Sequence, residues 1–488
     1  MVKTLVHNQI EYDMSLVELP RNEVKWCTVS LRDVYKANMR LEASVFDIEG
    51  KHAREQIRAC KWGIIGLDEL LVNAYYPGRF KRIYCDATNG VPFFMPSQLT
   101  DIYPKPDKYI SALTKCSISE LRLKRGDILL TRSGTIGSVT LVSKTLENKV
   151  FSDDVIRITA NKTIDIGFLY IYLKSRIGNI ILQTNGYGSV ITHIEPEHLT
   201  DIPVPNPPDS IKNEMHDLVI RSFELRDESN ELIDEATTLL VRELQLPSID
   251  QFKVKQFSKK METNNFSVKL SDLSGRVDAS YHVPIVKAIT EHIKKYAEEV
   301  TVIGKDRITK QIILPGRFKR VYVEKGQGQI FFSGKNIMEL DPSDKKYLSF
   351  TCHNTRIKEQ LTIRHNMILV TCSGTVGNVT LVPLHWDKWA MTHDIIRLIP
   401  HTEIIGYLYI WLQSIYAKTL IHAMAYGSVV PHIEIIHIEK IPVPLLKNQS
   451  LQAKINNLAL EANKKRYEAY VLEQKAMKIL NDEVIYAK

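Results

Sequence analysis

Cysteine is scarce in this sequence. The 488 residues include six cysteines, with no Cys-x-x-Cys pair and no Cys/His set at zinc spacing, so neither a disulfide framework nor a structural metal site is expected. No stretch approaches the roughly 18 apolar residues of a membrane-spanning helix. Charged residues come too early in "MVKTLVHNQIEYD" for a secretory signal. These absences indicate a cytoplasmic protein with reduced thiols.

The sequence also has no motif that carries catalysis. It contains no Walker loop and no Gly-rich cofactor loop after a strand. The "NPPD" at 206–209 resembles the NPP-aromatic loop of adenine methyltransferases, but Asp209 replaces the aromatic ring that stacks on a flipped base. Asp107, Glu147 and Lys149 can be aligned with a nuclease pattern, yet the Glu-x-Lys element does not return in the second half of the chain. We therefore predict a chain that is not catalytic by itself and binds no cofactor.

Charge of one sign is not in large excess either, because the formal net charge is +8. The charge is unevenly distributed. Residues 209–246 hold ten Asp/Glu and four Lys/Arg, whereas residues 447–488 hold eight Lys/Arg and five Asp/Glu. The remaining residues carry most of the positive excess, which suits a polyanionic partner without requiring one.

The sequence does contain an internal repeat, in which one unit occurs twice. Three long segments return at an offset of 238 to 240 residues: "PGRFKRIYCD" at 77 as "PGRFKRVYVE" at 315, "TRSGTIGSVTLVS" at 131 as "TCSGTVGNVTLVP" at 371, and "YGSVITHIEPEHLTDIPVP" at 187 as "YGSVVPHIEIIHIEKIPVP" at 426. "RLEAS" at 40 has a weaker echo in "RVDAS" at 276. An offset this constant indicates a duplicated domain with small loop insertions.

Each unit is expected to be a mixed α+β domain. "GDILLTR" and "GSVTLVS" are β-branched runs on either side of "SGTIG", which predicts strand, turn and strand. "GFLYIYLKS" predicts a short amphipathic helix, and the two prolines of "IPVP" favour an edge strand. The predicted order is an N-terminal extension (1–23), a first recognition domain (24–208), a helix (209–246), a linker (247–265), a second recognition domain (266–446) and a C-terminal helix (447–488).

Each unit ends in a segment with a 3.5-residue apolar period, which is the signature of a coiled-coil seam. The principal seam residues are Ile211, Met215, Leu218, Leu225, Leu232, Leu239, Leu451, Ile455, Leu458, Leu472 and Ile479. Ser229 and Lys465 are poor seam residues that would weaken packing locally. One helix is acidic and the other basic, which favours pairing with each other, although two solvated helices on their own domains remain an alternative.

An antiparallel pair of these helices would relate the two units by an approximate two-fold axis. Each helix would span about 50 Å and hold the two domains at a fixed distance. Two similar domains with excess positive charge, spaced along a rod, match the symmetry of duplex DNA. The sequence therefore favours a DNA-binding protein with a two-part site.

The order of parts resembles the DNA-specificity subunit of type I restriction–modification enzymes. The resemblance rests on two domains with an "SGTIG"-like turn, a "YGSV…HIE" segment and an "IPVP" exit into a long helix, and it covers roughly residues 24–486. It implies that each domain reads half of a split site in double-stranded DNA. It also implies that the helices dock two methyltransferase subunits, which would carry S-adenosylmethionine, while separate motor/nuclease subunits cut DNA. Residues 1–23 have no counterpart in the second unit, and the likeness of the two domains argues against a strongly asymmetric site.

The repeated "RFKR" supplies three cations in four residues after a Pro-Gly turn, which suits phosphate contacts. The alternative is a solubilising strand edge with its Phe turned inward. Base readers are better sought where the copies differ, as at Arg132 against Cys372 or Thr192 against Pro431, because Arg can form a bidentate pair with guanine. The expected contacts from these segments are Arg79, Lys81, Arg82, Arg317, Lys319, Arg320 and Arg132.

The Gly-containing turns offer hydroxyl and backbone N–H groups for DNA, although hairpin turns need the same glycines. A tyrosine beside a glycine could press on the duplex or pack in the core. The further candidate DNA contacts are Ser133, Thr135, Tyr187, Ser189, Ser373, Thr375, Tyr426 and Ser428. His193 and His432 have no metal partner at usable spacing, which favours buried or backbone-bonded histidines.

Two rival functions stay open at this point. A type IIB-like restriction–modification system, in which one partner both methylates and cuts, would use the same kind of recognition subunit. From another class, a protein-interaction scaffold could use the paired helices without DNA. A hydrolase built on "SGTIG" lacks a His/Asp arrangement to support it.

Overall fold

The computed structural model describes residues 28–36, 39–134, 136–188, 192–200, 202–254, 266–273, 275–342 and 345–487. The predicted extension at 1–23 and the part of the predicted linker from 255 to 265 lie outside these residues. The described chain forms two α+β units, called unit 1 and unit 2, and two long helices. This arrangement agrees with the predicted fold class.

Each unit contains a four-stranded antiparallel sheet with the same strand order. In spatial order the strands are Leu71–Tyr75, Val155–Ala160, Ile128–Thr131 and Val139–Leu141 in unit 1, and Thr309–Ile313, Ile395–Pro400, Ile368–Thr371 and Val379–Leu381 in unit 2. The last two strands of each set flank the Gly-containing turn, so the predicted strand, turn and strand are confirmed. The two inner strands are buried, as their β-branched composition suggests.

A second, smaller sheet lies beside the first in each unit. Its strands in spatial order are Lys108–Ser111, Gly90–Phe94 and Val150–Phe151 in unit 1, and Tyr322–Val323, Lys346–Ser349, Gly328–Phe332 and Ala390–Met391 in unit 2. The "IPVP" segments form two-stranded antiparallel ribbons, Ile64–Gly66 with Pro203–Pro205 and Glu299–Val302 with Pro442–Leu445. A two-stranded ribbon tolerates proline because its outer edge needs no N–H donor.

The α-helices of the units are short. They are Leu31–Lys36, Ile48–Arg58, Ile118–Leu121, Thr163–Lys174, Arg176–Asn185, Ile249–Val254, Pro284–Tyr296, Phe350–Arg356, Ile405–Gln413, Ile415–Met424 and Ile435–Ile438. The helix predicted at "GFLYIYLKS" is confirmed within Thr163–Lys174, but it is not amphipathic. Its residues 167–173 are all buried between the large sheet and the first long helix. Among the described residues no single helix is long and apolar enough to cross a membrane. One bent pair, Thr402–Gln413 with Ile415–Met424, has the length and composition of a membrane span.

The weak echo "RLEAS"/"RVDAS" has the same structural role in both units. Arg40 donates to the carbonyls of Asn185 and Gly186 at the end of one helix. Arg276 donates to the carbonyls of Met424 and Ala425 in the matching place. Each arginine thus satisfies carbonyl groups that the helix itself leaves unpaired.

Long helix 1 (Asp209–Glu243) and long helix 2 (Gln449–Ile479) pack against each other in antiparallel orientation. The Ser222 hydroxyl donates to the Ala469 carbonyl over 2.7 Å. Farther along helix 1, Glu228 and Glu235 form ion pairs with Lys465 and Lys454, over 2.6 and 2.8 Å. Residue numbers rise on helix 1 as they fall on helix 2. The acidic and basic helices therefore complement each other, and the alternative of two separate surface helices is excluded.

The buried seam of the helix pair has the predicted 3.5-residue period. At every second position, however, the buried residue lies one place after the predicted one in the sequence. Its deepest rows are Met215, Val219, Ser222, Arg226, Ser229, Ile233, Ala236 and Leu240 on helix 1, and Ile455, Ala459, Ala462, Arg466, Ala469, Glu473, Ala476 and Leu480 on helix 2. Four predicted residues of helix 1 each come one place before a residue of the deepest row: Leu218, Leu225, Leu232 and Leu239. Leu458, Leu472 and Ile479 do the same on helix 2, and Ile211 and Leu451 are partly buried. The predicted Met215, Ser229 and Ile455 do lie in these rows. A selection of apolar residues did not find Arg226, Arg466 and Glu473, which occupy their middle.

The core of each unit is completed by both long helices. Unit 1 packs against the first half of helix 1 and the last turns of helix 2, including Met215 and Leu480. Unit 2 packs against the last half of helix 1 and the first half of helix 2, including Leu240 and Ile455. Each helix therefore begins on its own unit and ends on the other, which fixes the two units relative to one another.

A direct contact between the units lies at the approximate two-fold axis. The Ile102 N–H donates to the Met338 carbonyl over 2.9 Å, and Asp101 forms a β-bridge with Glu339. Asp101 and Glu339 occupy matching positions at an offset of 238. Burial, with the nearby Glu339 carboxylate, raises the pKa of Asp101 to about 7, and burial also raises the pKa of Glu339.

Glu473 on helix 2 is the most deeply buried charged group of the helix pair, with a side chain that is 2% exposed. Its carboxylate pairs with Lys174 of unit 1 and Arg226 of helix 1, and it accepts a 2.9 Å hydrogen bond from the Tyr170 hydroxyl. Burial alone would raise its pKa, but the two cations outweigh burial and lower the pKa to about 2. The matching position on helix 1 is Ile233, so the carboxylate has no symmetric counterpart.

Replacing Glu473 by Gln should destabilise the fold by roughly 3–5 kcal/mol, because two buried cations lose their carboxylate. Urea unfolding followed by far-UV circular dichroism measures this change. The matched control is Glu468→Gln on the same helix, whose carboxylate pairs with Lys464 in the open at 3.9 Å and should contribute less than about 1 kcal/mol. An effect of Glu473→Gln no larger than that of the control would contradict the structural role of the cluster.

Candidate functional site

Three motifs that are far apart in the sequence meet in each unit. In unit 1, Asp154 lies 3.7 Å from Arg82 of "RFKR" and accepts a hydrogen bond from Ser133 of the Gly-containing turn. Ser133 in turn contacts Nδ1 of His193 over 2.8 Å. We call this group cluster 1, and the matching group around Asp394 in unit 2 cluster 2. In unit 1 the three repeated motifs thus meet in one chain of contacts that runs through Asp154 and Ser133, which makes these clusters the candidate site.

In each unit the tyrosine that begins "YGSV" pairs with the histidine that begins "HIE". Backbone hydrogen bonds of 2.7 to 2.9 Å join Tyr187 to His193 and Tyr426 to His432. Gly427 has a φ of 98°, and a Cβ there would lie 2.5 Å from the Val430 carbonyl oxygen, so only glycine fits. In unit 2 the tip of the loop between Tyr426 and His432 is exposed, with Val429 at 91% exposure.

The Gly-containing turns run beside these tyrosine–histidine pairs. The N–H of Gly134 donates to the Thr192 carbonyl, and the N–H of Gly374 donates to the Pro431 carbonyl, both over 3.1 Å. Ser133 and Ser373 are half-buried at this junction. Thr375 and Ser428 are exposed, whereas the predicted contacts Thr135 and Ser189 lie outside the described residues. In both units the described residues of the turn therefore lie beside those of the tyrosine–histidine pair.

The cations of "RFKR" divide into two kinds. Arg79 and Lys81 of unit 1, and Arg317 and Lys319 of unit 2, are exposed and form no ion pair with any described residue. Arg82 is half-buried and pairs with Asp153 over 2.6 Å. The matching Arg320 of unit 2 contacts Thr392 and Asp394. Four cations are therefore free for an anionic partner, and the other two hold the segment in place.

The aromatic residue of each "RFKR" points into the unit. Phe80 packs edge-on against Phe93 with ring centroids 6.3 Å apart, and Phe318 packs against Phe331 in the same manner. This anchor leaves the flanking Arg and Lys side chains on the outer surface, as the alternation of exposed and half-buried residues shows.

Arg132, which we expected to read a base, is buried in cluster 1 with a side chain that is 5% exposed. Its guanidinium forms two hydrogen bonds with Glu195, one of 3.2 Å, and a third of 3.4 Å with Asp154. It also lies 4.3 Å from the ring centroid of Tyr76. A base contact would require these ion pairs to break, so we reassign Arg132 to positioning the two carboxylates.

Glu195 is the most strongly perturbed acid of cluster 1. Burial by itself would raise its pKa, but hydrogen bonds from Arg132, Tyr187 and Tyr76 outweigh burial and lower the pKa to about 2. The Tyr187 hydroxyl donates over 2.6 Å. The carboxylate is therefore ionised and fully engaged at neutral pH.

Cluster 2 keeps the carboxylates but lacks the arginine. Cys372 replaces Arg132, and burial raises the pKa of its thiol to about 12, so it is uncharged at neutral pH. Glu434 is exposed and accepts a hydrogen bond from the Tyr426 hydroxyl. Tyr426 itself is 41% exposed. The two clusters thus share a framework and differ in charge pairing.

Sequence reasoning missed the acids that organise both clusters. Asp154 and Asp394 begin the repeated "DVIRI" and "DIIRL", and Glu195 and Glu434 end the repeated "HIE". A repeated carboxylate beside a repeated cation would have been the signal. In the described part of the chain, no group of three or more His, Cys, Asp and Glu residues is placed to hold a metal ion.

The sequence model of the family described as type I restriction modification DNA specificity domain matches residues 81–230 and 352–457, which together exceed half of the chain. One match falls on each unit and the start of its long helix. No curated protein sequence matches this chain significantly.

Three solved structures are similar to most of the chain at low identity. The S subunit of a type I restriction–modification system from M. genitalium is 15% identical, covers 86% of this chain and 96% of its own, and has a TM-score of 0.30. A chain from a study of assembly and conformational transition of the type I R-M system is 13% identical, with coverages of 86% and 96% and a TM-score of 0.27. The HsdS subunit from Thermoanaerobacter tengcongensis is 13% identical, with coverages of 86% and 95% and a TM-score of 0.25.

Proposed function

Because the chain belongs to the type I restriction–modification DNA specificity family, we propose that it reads a two-part DNA site and directs partner subunits to it. The partners are two adenine methyltransferase subunits, which carry S-adenosylmethionine, and motor/nuclease restriction subunits. The observation that carries this proposal is the presence of two equivalent loop clusters, one in each unit, related by an approximate two-fold axis.

The exposed cations supply the affinity for the DNA backbone in this proposal. Arg79 and Lys81, with Arg317 and Lys319, are free of ion pairs with described residues and identical in the two units. Identical side chains cannot distinguish different half-sites, so they suit phosphate contacts, which position the protein without reading sequence.

The antiparallel helices set the distance between the half-sites. Each unit is packed on both helices, so neither unit can shift along the duplex alone. The unread bases between the half-sites then correspond to a constant length of DNA, and the partner methyltransferase flips the adenine that this chain selects.

Replacing Arg79 and Arg317 together by Ala should weaken binding to all sequences by a similar factor. The slope of log affinity against log salt concentration should fall by about 2, since each phosphate contact contributes about 0.9. Titration of the assembled complex with specific and random duplexes at several salt concentrations measures both effects. The control is Lys287→Ala with Lys464→Ala, two exposed lysines away from the clusters. Lost discrimination at a single base pair, with an unchanged salt slope, would contradict the phosphate role.

Inserting seven residues after Arg226 and seven after Arg466 should lengthen the spacer between the half-sites. Both insertions fall near the approximate two-fold axis, so they separate the units by about 10 Å, which equals roughly three base pairs of DNA. Sequencing of methylated adenines in a host that carries the variant complex measures the spacer. A methylated site with the parental spacer would contradict the role of the helices as a ruler.

A further inference from the structure

The two clusters differ at two neighbouring positions, and the difference changes which acceptors are available. Tyr76 and Arg132 of unit 1 correspond to Leu314 and Cys372 of unit 2, at offsets of 238 and 240. Asp394 and Glu434 keep the acids Asp154 and Glu195, whereas His393 replaces Asp153. Neither Leu314 nor Cys372 can donate a charged hydrogen bond to the two shared acids.

In unit 1 the Glu195 carboxylate is closed off. It accepts hydrogen bonds from Arg132 and Tyr187, and its side chain is 18% exposed. Asp154 is shared among Arg132, Ser133 and Arg82. Among the described residues of cluster 1, the glutamate is therefore not left free for a base.

In unit 2 the corresponding Glu434 is open. It is exposed, and its side chain accepts a hydrogen bond from the Tyr426 hydroxyl. Asp394 lies 3.8 Å from Arg320, accepts a 3.1 Å hydrogen bond from Thr392 and lies 3.4 Å from Nε2 of His393. Its side chain is 35% exposed, close to the 30% of Asp154. The clusters therefore differ in the glutamate, which is closed off in unit 1 and open in unit 2.

The neighbouring cations make cluster 2 compatible with DNA. Arg317 and Lys319 are exposed in the same unit, and Arg317 is close enough to Tyr426 to influence its pKa. Contacts from these cations to phosphates would offset the repulsion between a carboxylate and the duplex. A carboxylate held in a groove in this way accepts hydrogen bonds from exocyclic amino groups, as in pairing with N4 of cytosine.

We propose, building on the function above, that Glu434 is a specificity determinant that accepts a hydrogen bond from the exocyclic amino group of cytosine or adenine, with Asp394 beside it. Arg132 and Tyr76 withhold the matching Glu195 of unit 1 from this role. The half-site read by unit 2 therefore contains one position that requires an amino-bearing base. The half-site read by unit 1 lacks this requirement, although the two domains share their fold.

The test makes the Glu434 carboxylate of cluster 2 unavailable, in the full chain, in two ways. Leu314→Tyr with Cys372→Arg copies the unit 1 pairing, and Glu434→Ala removes the acceptor at an exposed position where folding is not at risk. Each variant is co-expressed with its methyltransferase partner, and methylated adenines are mapped by sequencing. Both variants should lose the preference for cytosine or adenine at one position of one half-site by roughly ten- to a hundred-fold, the range of one hydrogen bond to a charged group. The other half-site should stay the same.

A control pair adds the same side chains outside the cluster. Leu384→Tyr with Thr402→Arg places a tyrosine and an arginine on the exposed surface of unit 2 and should leave both half-sites unchanged. Thermal unfolding shows whether each variant is folded. A folded Glu434→Ala variant that methylates the parental site with its preference intact would overturn the assignment. If the parental complex methylates no two-part site, the proposed function fails, and the assignment fails with it.

Discussion

The packing of each long helix into the cores of both units is the constraint on which the rest of the structure depends. Helix 1 leaves unit 1 and ends on unit 2, while helix 2 does the reverse. Removing either helix would expose apolar surface in both units, so burial of that surface favours this relative position. Rigid separation of the two clusters follows from ordinary burial of apolar surface. The buried ion pairs that Glu473 forms with Lys174 and Arg226 further fix how helix 2 lies against unit 1 and helix 1. A buried charge that lost its partner would be costly.

Much of this architecture was predictable because the two copies of a duplicated unit can be compared within a single sequence. The offset of 238 to 240 identified the units, and the 3.5-residue period identified the helix pair. The phase of the seam was predicted only in part. Met215 and Ile455 lie in its deepest rows as expected, but Arg226 and Glu473 lie there too and are not apolar. The helix Thr163–Lys174 was predicted, but its amphipathic character was misjudged for a related reason. It is covered on both sides, so its apolar residues do not mark a single face.

The candidate site was only partly accessible from sequence. The repeated motifs were found, but their convergence on Asp154 and Asp394 depends on contacts between distant segments. Arg132 was read as a free donor because nothing in its neighbours along the chain indicates Glu195, 63 residues away. The difference between Arg132 and Cys372 therefore alters recognition indirectly, by occupying or releasing a carboxylate. Duplicated domains can diverge in specificity through such pairing without any change of fold.

The most direct measurement is a map of methylated adenines across the genome of a host that carries this chain with its methyltransferase partner. Two units fixed by shared helices predict two short specified segments, on opposite strands, separated by unread bases of one constant length. A single continuous site, or half-sites whose separation varied from one location to another, would contradict the account.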